Sequence, residues 1–79
     1  MNEQQTKVPQ TADEAYADVL DVLNGRRMEC KAFQLHCERI GNGWEAQVWD
    51  KRIGEIEIAI SLVKQIEQRR RESAEGGGR

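Results

Sequence analysis

The sequence is poor in the residues from which chemical sites are built. Its 79 residues include one histidine and two cysteines, whereas a structural zinc site needs about four convergent nitrogen or sulfur ligands. No apolar run approaches the ~20 residues of a membrane span, and the first residues lack the basic and apolar segments of a secretory signal. These absences predict a cytoplasmic protein with free thiols, no metal and no membrane segment.

The two thiols are also poorly placed for catalysis. Cys30 and Cys37 are seven residues apart in the sequence, and His36 and Cys37 point to opposite faces if their segment is a strand. A reactive thiolate needs a basic group or a helix N-terminus beside it, and the chain has no phosphate-binding glycine loop. We therefore expect neither enzymatic activity nor a cofactor.

The chain is long enough for one domain only. Residues 1–10 are polar and contain the single proline, and residues 73–79 contain three consecutive glycines, a composition typical of flexible tails. The ordered domain is therefore predicted over residues 11–72. Because a core of this size gives little net stability, oligomerisation is a common supplement.

The first element is predicted to be a helix capped by Thr11. Thr11 and Glu14 have the spacing of a capping box, and the apolar residues that follow recur at helical intervals. Asn24-Gly25 is expected to end this helix, because glycine accepts the left-handed conformation at little steric cost. The apolar stripe consists of Ala12, Ala15, Tyr16, Val19, Leu20 and Leu23.

The middle of the chain alternates between apolar and polar residues, which predicts β-strands. Phe33–Cys37 and Trp44–Trp49 both alternate, and Asn42-Gly43 between them is a strong hairpin-turn signal. The register that follows gives a core face of Phe33, Leu35, Cys37, Trp44, Ala46 and Val48. The outer face is then His36, Glu38, Ile40, Glu45, Gln47 and Trp49.

A long helix is predicted from about Glu55, because apolar residues recur at helical spacing among strong helix formers. Lys51–Gly54 fits either a third, edge strand or a connection. The predicted fold is therefore α+β: a helix, an antiparallel β-hairpin of two or three strands and a long C-terminal helix, packed in two layers.

The C-terminal helix has more apolar residues than one packed stripe requires. They are Ile56, Ala59, Ile60, Val63 and Ile66, widened by Ile58 and Leu62. This surplus leaves two alternatives open. The helix either lies between the sheet and the first helix, or part of it forms the seam of a homodimer.

Binding of another protein is the function that the sequence favours. The predicted contact surface is the outer sheet face, since an exposed aromatic such as Trp49 is typical of binding hot spots. The acidic side of the first helix flanks this surface and could imitate nucleic-acid phosphates toward a basic partner. The predicted partner-binding residues are Trp49, His36, Glu45, Gln47, Asp18 and Asp21.

Nucleic-acid binding is the alternative function. The net charge of −2 lacks the basic balance of a dedicated nucleic-acid binder, but basic residues cluster near the predicted strand ends and in the last helix. Beside Trp49 they would form a surface for phosphates and stacked bases. These residues are Arg26, Arg27, Lys51, Arg52, Arg69, Arg70 and Arg71.

In size, acidity and layout the chain resembles the small accessory proteins of phages and mobile elements, among them anti-CRISPR proteins. The resemblance implies a stoichiometric inhibitor that blocks a host complex by occupying one of its surfaces. It implies no particular site residue.

Overall fold

The chain folds into two long helices joined by a tight turn. The computed structural model describes residues 11–77, with side chains described for residues 11–74. Helix α1 spans Ala12–Arg39 and helix α2 spans Gly43–Gly77. The two helices pack side by side as an antiparallel hairpin, so the start of α1 lies near the end of α2 and this pair forms the open end.

Helix α1 begins as the sequence predicts. Thr11 is its N-cap, and the Thr11 hydroxyl accepts a hydrogen bond from the Glu14 backbone amide at 3.0 Å. Asp13 and Glu14 lie in the first turn, where the helix dipole favours negative charge. The prediction of the N-cap is confirmed.

The prediction that this helix ends at Asn24-Gly25 is wrong. Helix α1 continues through both residues to Arg39, although an interior glycine costs about 1 kcal/mol relative to alanine. Packing on α2 outweighs that cost, because Leu23 and the buried Cys30 continue one stripe across the glycine. Tertiary packing, rather than local propensity, supplies most helical stability in proteins.

The turn between the helices is fixed by backbone hydrogen bonds. Gly41 has a φ of 80°, and its amide donates to the Glu38 carbonyl, while the Asn42 amide donates to the Cys37 carbonyl at 2.8 Å. This pattern is a Schellman motif, in which glycine takes the left-handed position. The Asn42 side chain then caps α2 by accepting from the Glu45 amide at 3.1 Å.

The predicted α+β fold is wrong, since none of residues 11–77 forms a strand. Phe33–Cys37 and Trp44–Trp49, predicted as the paired strands of a β-hairpin, lie in α1 and α2. Lys51–Gly54 is helical rather than an edge strand, because α2 begins at Gly43 and not at Glu55. The turn signal is in the predicted place, but it joins two helices.

At its C-terminal end, helix α2 continues past Glu72 to Gly77. The limits of the ordered domain, residues 11–72, stay a prediction. Residues 1–10 and 78–79, which the sequence assigns to tails, lie outside the described residues.

Candidate functional site

The two helices meet along a seam with seven-residue spacing. The buried residues of α2 are Ala46, Ile53 and Ile60, and those of α1 are Cys30 and Cys37. This spacing keeps a stripe on one side of a helix in a left-handed supercoil. Half-buried residues at the intervening positions complete the seam: Tyr16, Leu20, Leu23, Arg27 and Gln34 in α1, and Trp49, Ile56, Val63 and Arg70 in α2.

An aromatic pair joins the helices on one side of this seam. The Phe33 ring of α1 stacks on the Trp49 ring of α2, with centroids 4.8 Å apart and planes inclined by 20°. The Arg52 guanidinium lies 4.9 Å from the centroid of the Trp49 ring, within the range of a cation–π contact. Trp49 is therefore half-buried between an aromatic ring and a cation.

Toward the open end, the same side of the hairpin is apolar and exposed. Val19 and Val22 of α1 face outward, and so do Leu62 and Ile66 of α2, of which Ile66 is 50% exposed. Successive members are three and eleven residues apart in α1 and one, three or seven residues apart in α2, so each helix presents them on one broad side. We call this surface the apolar face: Val19, Val22, Phe33, Trp49, Ile56, Ala59, Leu62, Val63 and Ile66.

Charged residues cross the apolar face near its middle. Arg26 and Glu29 form an ion pair at 3.0 Å on α1, and Arg52 and Glu55 lie across from them on α2. Arg26, Arg52 and Glu55 line one groove with Cys30 and Ile56. We call Arg26, Glu29, Arg52 and Glu55 the charged band. It contains two cations and two carboxylates and is therefore neutral overall.

The other side of the hairpin is largely polar. Arg27 pairs with Glu57 at 3.2 Å, and the Gln34 amide donates to Asp50 at 3.4 Å. Two shallow grooves on this polar side are lined by Asn24, Arg27, Gln34, Glu38, Gln47, Asp50, Glu57, Ser61, Lys64 and Gln68, among others. Helical spacing also puts the exposed Met28 and Leu35 on this side of α1. The contrast between the two sides makes the apolar face the distinctive surface of the hairpin.

Trp44 lies at the turn and not in the core. It is 77% exposed, whereas the strand register put it on the core face. As the second residue of α2, it projects from the outer side of that helix, away from Ala46, which is buried in the seam. The prediction is wrong because a helix turns residues two positions apart to different directions, while a strand keeps them on one face.

The structure does not assemble the six predicted partner-binding residues into one surface. Trp49 belongs to the apolar face, and helical spacing puts Glu45 and His36 near its edge. Gln47 lines a groove on the polar side, and Asp18 and Asp21 are exposed on α1. Neither set of predicted site residues includes Val19, Val22, Glu29 or Glu55, because Val19 and Val22 share a face with Arg26 and Glu29 only if α1 continues through Gly25.

The seven predicted nucleic-acid contacts are likewise separated. Arg26 and Arg52 lie in the charged band, and Arg27 is engaged by Glu57 on the other side. At the open end, Arg70 pairs with Asp13, and Arg71 pairs with Glu67 at 3.0 Å and lies 3.7 Å from Asp13. Lys51 and Arg69 are exposed on α2. Several of these cations are thus already neutralised by carboxylates of the same chain.

The thiols are free and buried in the seam. Burial and the nearby Glu45 carboxylate raise the pKa of the Cys37 thiol, whose sulfur lies 3.9 Å from Glu45 Oε1. A protonated thiol is a poor nucleophile and a poor metal ligand. Among residues 11–77, no three His, Cys, Asp or Glu side chains converge as candidate metal ligands.

Comparison with known proteins gives no relative, because no family model, curated protein or solved structure matches this chain. Over the described residues, neither α1 nor α2 has a stretch long and apolar enough to cross a membrane.

Proposed function

We propose that this chain is a small non-enzymatic protein-binding module and that the apolar face is its contact surface. The observation that carries the proposal is that Val19, Val22, Leu62 and Ile66 are exposed together on one side of the hairpin at its open end. Soluble proteins rarely expose large contiguous apolar patches, and those that do use them mainly for interaction.

The small core supports this proposal. An amphipathic helix must bury its apolar stripe against another element, and among the described residues the seam buries only five apolar side chains. Within residues 11–77 nothing covers the apolar face. A partner that packs on this face would bury the side chains that the hairpin leaves exposed, at about 25 cal/mol per Å² of apolar surface.

The α2 half of the face has the spacing of a helical recognition element. Ala59, Leu62, Val63 and Ile66 stand at intervals of three, one and three residues, the pattern by which one helix anchors in a groove or on another helix. The charged band would set the orientation of the partner, because charge complementarity fixes register more than it adds affinity. Such a module acts by occupying a surface and requires no chemistry.

No specific observation favours the nucleic-acid alternative. Arg27, Arg70 and Arg71 are paired with carboxylates of the same chain, so phosphate binding would first have to break those pairs. The charged band contains as many carboxylates as cations. The resemblance to phage inhibitors remains a prediction about which partner this module takes.

The proposal is tested by photo-crosslinking in the native cells. The full chain carries p-benzoylphenylalanine in place of Ile66 on the apolar face or, as a matched control, in place of Ile58, which is 62% exposed but lies on the outer edge of α2. We expect a crosslinked protein from position 66 and none from position 58. Equal crosslinking from both positions, crosslinking to nucleic acid alone, or none from position 66 would contradict the proposal.

A further inference from the structure

We infer that the open half of the hairpin opens and closes as a unit of its own, and that an ionic clasp between the two helices holds it closed. The open half consists of residues 12–24 of α1 and residues 61–74 of α2. This opening is a property of the hairpin itself, and only its consequence for partner binding rests on the proposed function. The ionic clasp consists of Asp13 and Tyr16 of α1 and of Glu67, Arg70 and Arg71 of α2.

The packing of the seam changes along the hairpin. Between the turn and the level of Ile60, five apolar side chains are buried. In the open half no described side chain is buried, and the seam there consists of half-buried residues. Helices owe most of their stability to tertiary packing, and segments with few buried apolar contacts open at a lower free energy than the core. The open half is therefore expected to separate while the half near the turn stays folded.

Charged side chains join the helices where the buried core ends. Asp13 of α1 forms an ion pair with Arg70 of α2, and its Oδ1 lies 3.7 Å from Nε of Arg71. The Arg70 guanidinium lies 5.5 Å from the centroid of the Tyr16 ring, within the range of a cation–π contact. Arg71 also pairs with Glu67 at 3.0 Å. A single exposed ion pair adds little stability, but charges that form a network contribute more.

A buried donor opposes the ionic clasp. Nε of Arg70 is buried and has no hydrogen-bond partner among the described residues. Such a donor regains hydrogen bonds to water when the structure opens, so its burial favours the open form. Closure depends on the ion pairs and the cation–π contact that offset this cost. Because salt screens exposed ion pairs, the balance should shift toward the open form as the ionic strength rises.

Opening would divide the apolar face. The contact between Arg27 and Glu57 sets the register of the two helices, and this register puts Val22 of α1 at the height of Leu62 of α2. The ionic clasp lies between these side chains and the open end. Since the exposed apolar side chains of the open half come from both helices, they form one surface only while the helices lie side by side. The ionic clasp thereby maintains the surface that we propose for partner binding.

The test is hydrogen exchange of the purified full chain, followed for single amides by NMR. In the wild type, we expect residues 18–23 of α1 to exchange faster than residues 30–37, through opening of the open half alone. Arg70→Gln removes the main contact of the ionic clasp, so residues 18–23 should exchange about 3–10-fold faster. Because the substitution is in α2 and the measured amides are in α1, fraying of α2 alone cannot produce this change.

Arg69→Gln is the matched control. It removes the same charge one position away, from an exposed side chain that forms no ion pair within the described part of the chain. It should change the exchange of residues 18–23 by less than about 2-fold. Equal effects of the two variants would overturn the ionic clasp, and equal protection of residues 18–23 and 30–37 in the wild type would overturn the separate opening.

Salt gives a second measurement on the unaltered chain. Raising NaCl from about 0.1 M to 1 M shortens the screening length from about 10 Å to 3 Å, so residues 18–23 of the wild type should exchange about 2–5-fold faster. Arg70→Gln, which lacks the pair with Asp13, should respond less. A wild type that does not respond to salt, or a variant that responds as strongly, would overturn the ionic clasp.

Hydrogen exchange needs no partner, so its result is independent of the proposed function. If position 66 gives no crosslink in cells but Arg70→Gln speeds exchange as expected, the proposed function is wrong and the ionic clasp stands. If position 66 crosslinks but residues 18–23 are as protected as residues 30–37, the separate opening is wrong and the proposed function stands.

Discussion

Two isoleucines of α2 test which side of that helix holds the hairpin together. Ile53 is buried in the seam with 6% of its surface exposed, whereas Ile58 is on the outer edge. Ile53→Ala removes three carbon atoms from the core, worth about 0.8 kcal/mol each in transfer free energy. The cavity that remains adds to this loss, as large-to-small substitutions in cores cost about 2–5 kcal/mol. The higher helix propensity of alanine returns about 0.4 kcal/mol.

The expected net loss for Ile53→Ala is therefore about 2–3 kcal/mol in the free energy of unfolding, a large part of what a domain of this size possesses. Ile58→Ala leaves no cavity and should change stability by less than about 0.5 kcal/mol. The assay is urea unfolding followed by far-UV circular dichroism, at one fixed protein concentration because association would shift the midpoint. Equal losses for the two variants would refute the seam.

The local signals in the sequence were sufficient for the start of α1 and for the place of the turn. Thr11 and Glu14 act within one turn of helix, and Gly41 and Asn42 act within the connection, so neither depends on which element packs beside them. The helical stripe of residues 56–66 was also predicted, since it persists over three turns. The predicted type of element was wrong where the apolar pattern covers only five or six residues, which is less than two turns of a helix.

Alternation over five or six residues cannot distinguish a strand from a helix. Phe33 and Cys37 satisfy a period of two, but they are also one helical turn apart. In a strand, Cys30 and Phe33 would point to opposite faces unless a bulge lay between them. In a helix, Cys30, Phe33 and Cys37 lie on one side without any irregularity. In α2, the steps of three and four from Ala46 to Val63 cross the boundary between the predicted strand and the predicted helix. A heptad that long is the sequence signal for a helical hairpin.

Because two helical segments were predicted as strands, the predicted contact surface grouped the wrong side chains. On a strand, Glu45, Gln47 and Trp49 share a face, and on a helix Glu45, Trp49 and Arg52 do. The α2 half of the apolar face could be predicted from the sequence, because the surplus of apolar residues in residues 56–66 is visible whether the preceding segments are strands or helices. The α1 half was not, because Val19 and Arg26 share a face only if the helix continues through Gly25.

The remaining predictions concern a thiol and two glycines. Because burial and Glu45 raise the pKa of Cys37, the folded chain keeps a proton that the unfolded chain releases. Stability should therefore fall as the pH rises above roughly 8.5, the usual thiol pKa, and Cys37→Ala should remove that part of the decline in urea unfolding. Gly25→Ala should stabilise the protein by about 0.5–1 kcal/mol, because an added Cβ meets nothing within 4 Å. Gly41→Ala should cost about 1–2 kcal/mol, because its φ of 80° is left-handed. If α1 ended at Gly25 in a left-handed cap, Gly25→Ala would destabilise the protein, as Gly41→Ala does. The sign of the stability change for Gly25→Ala in thermal unfolding therefore distinguishes a continuous α1 from a helix that ends at Gly25.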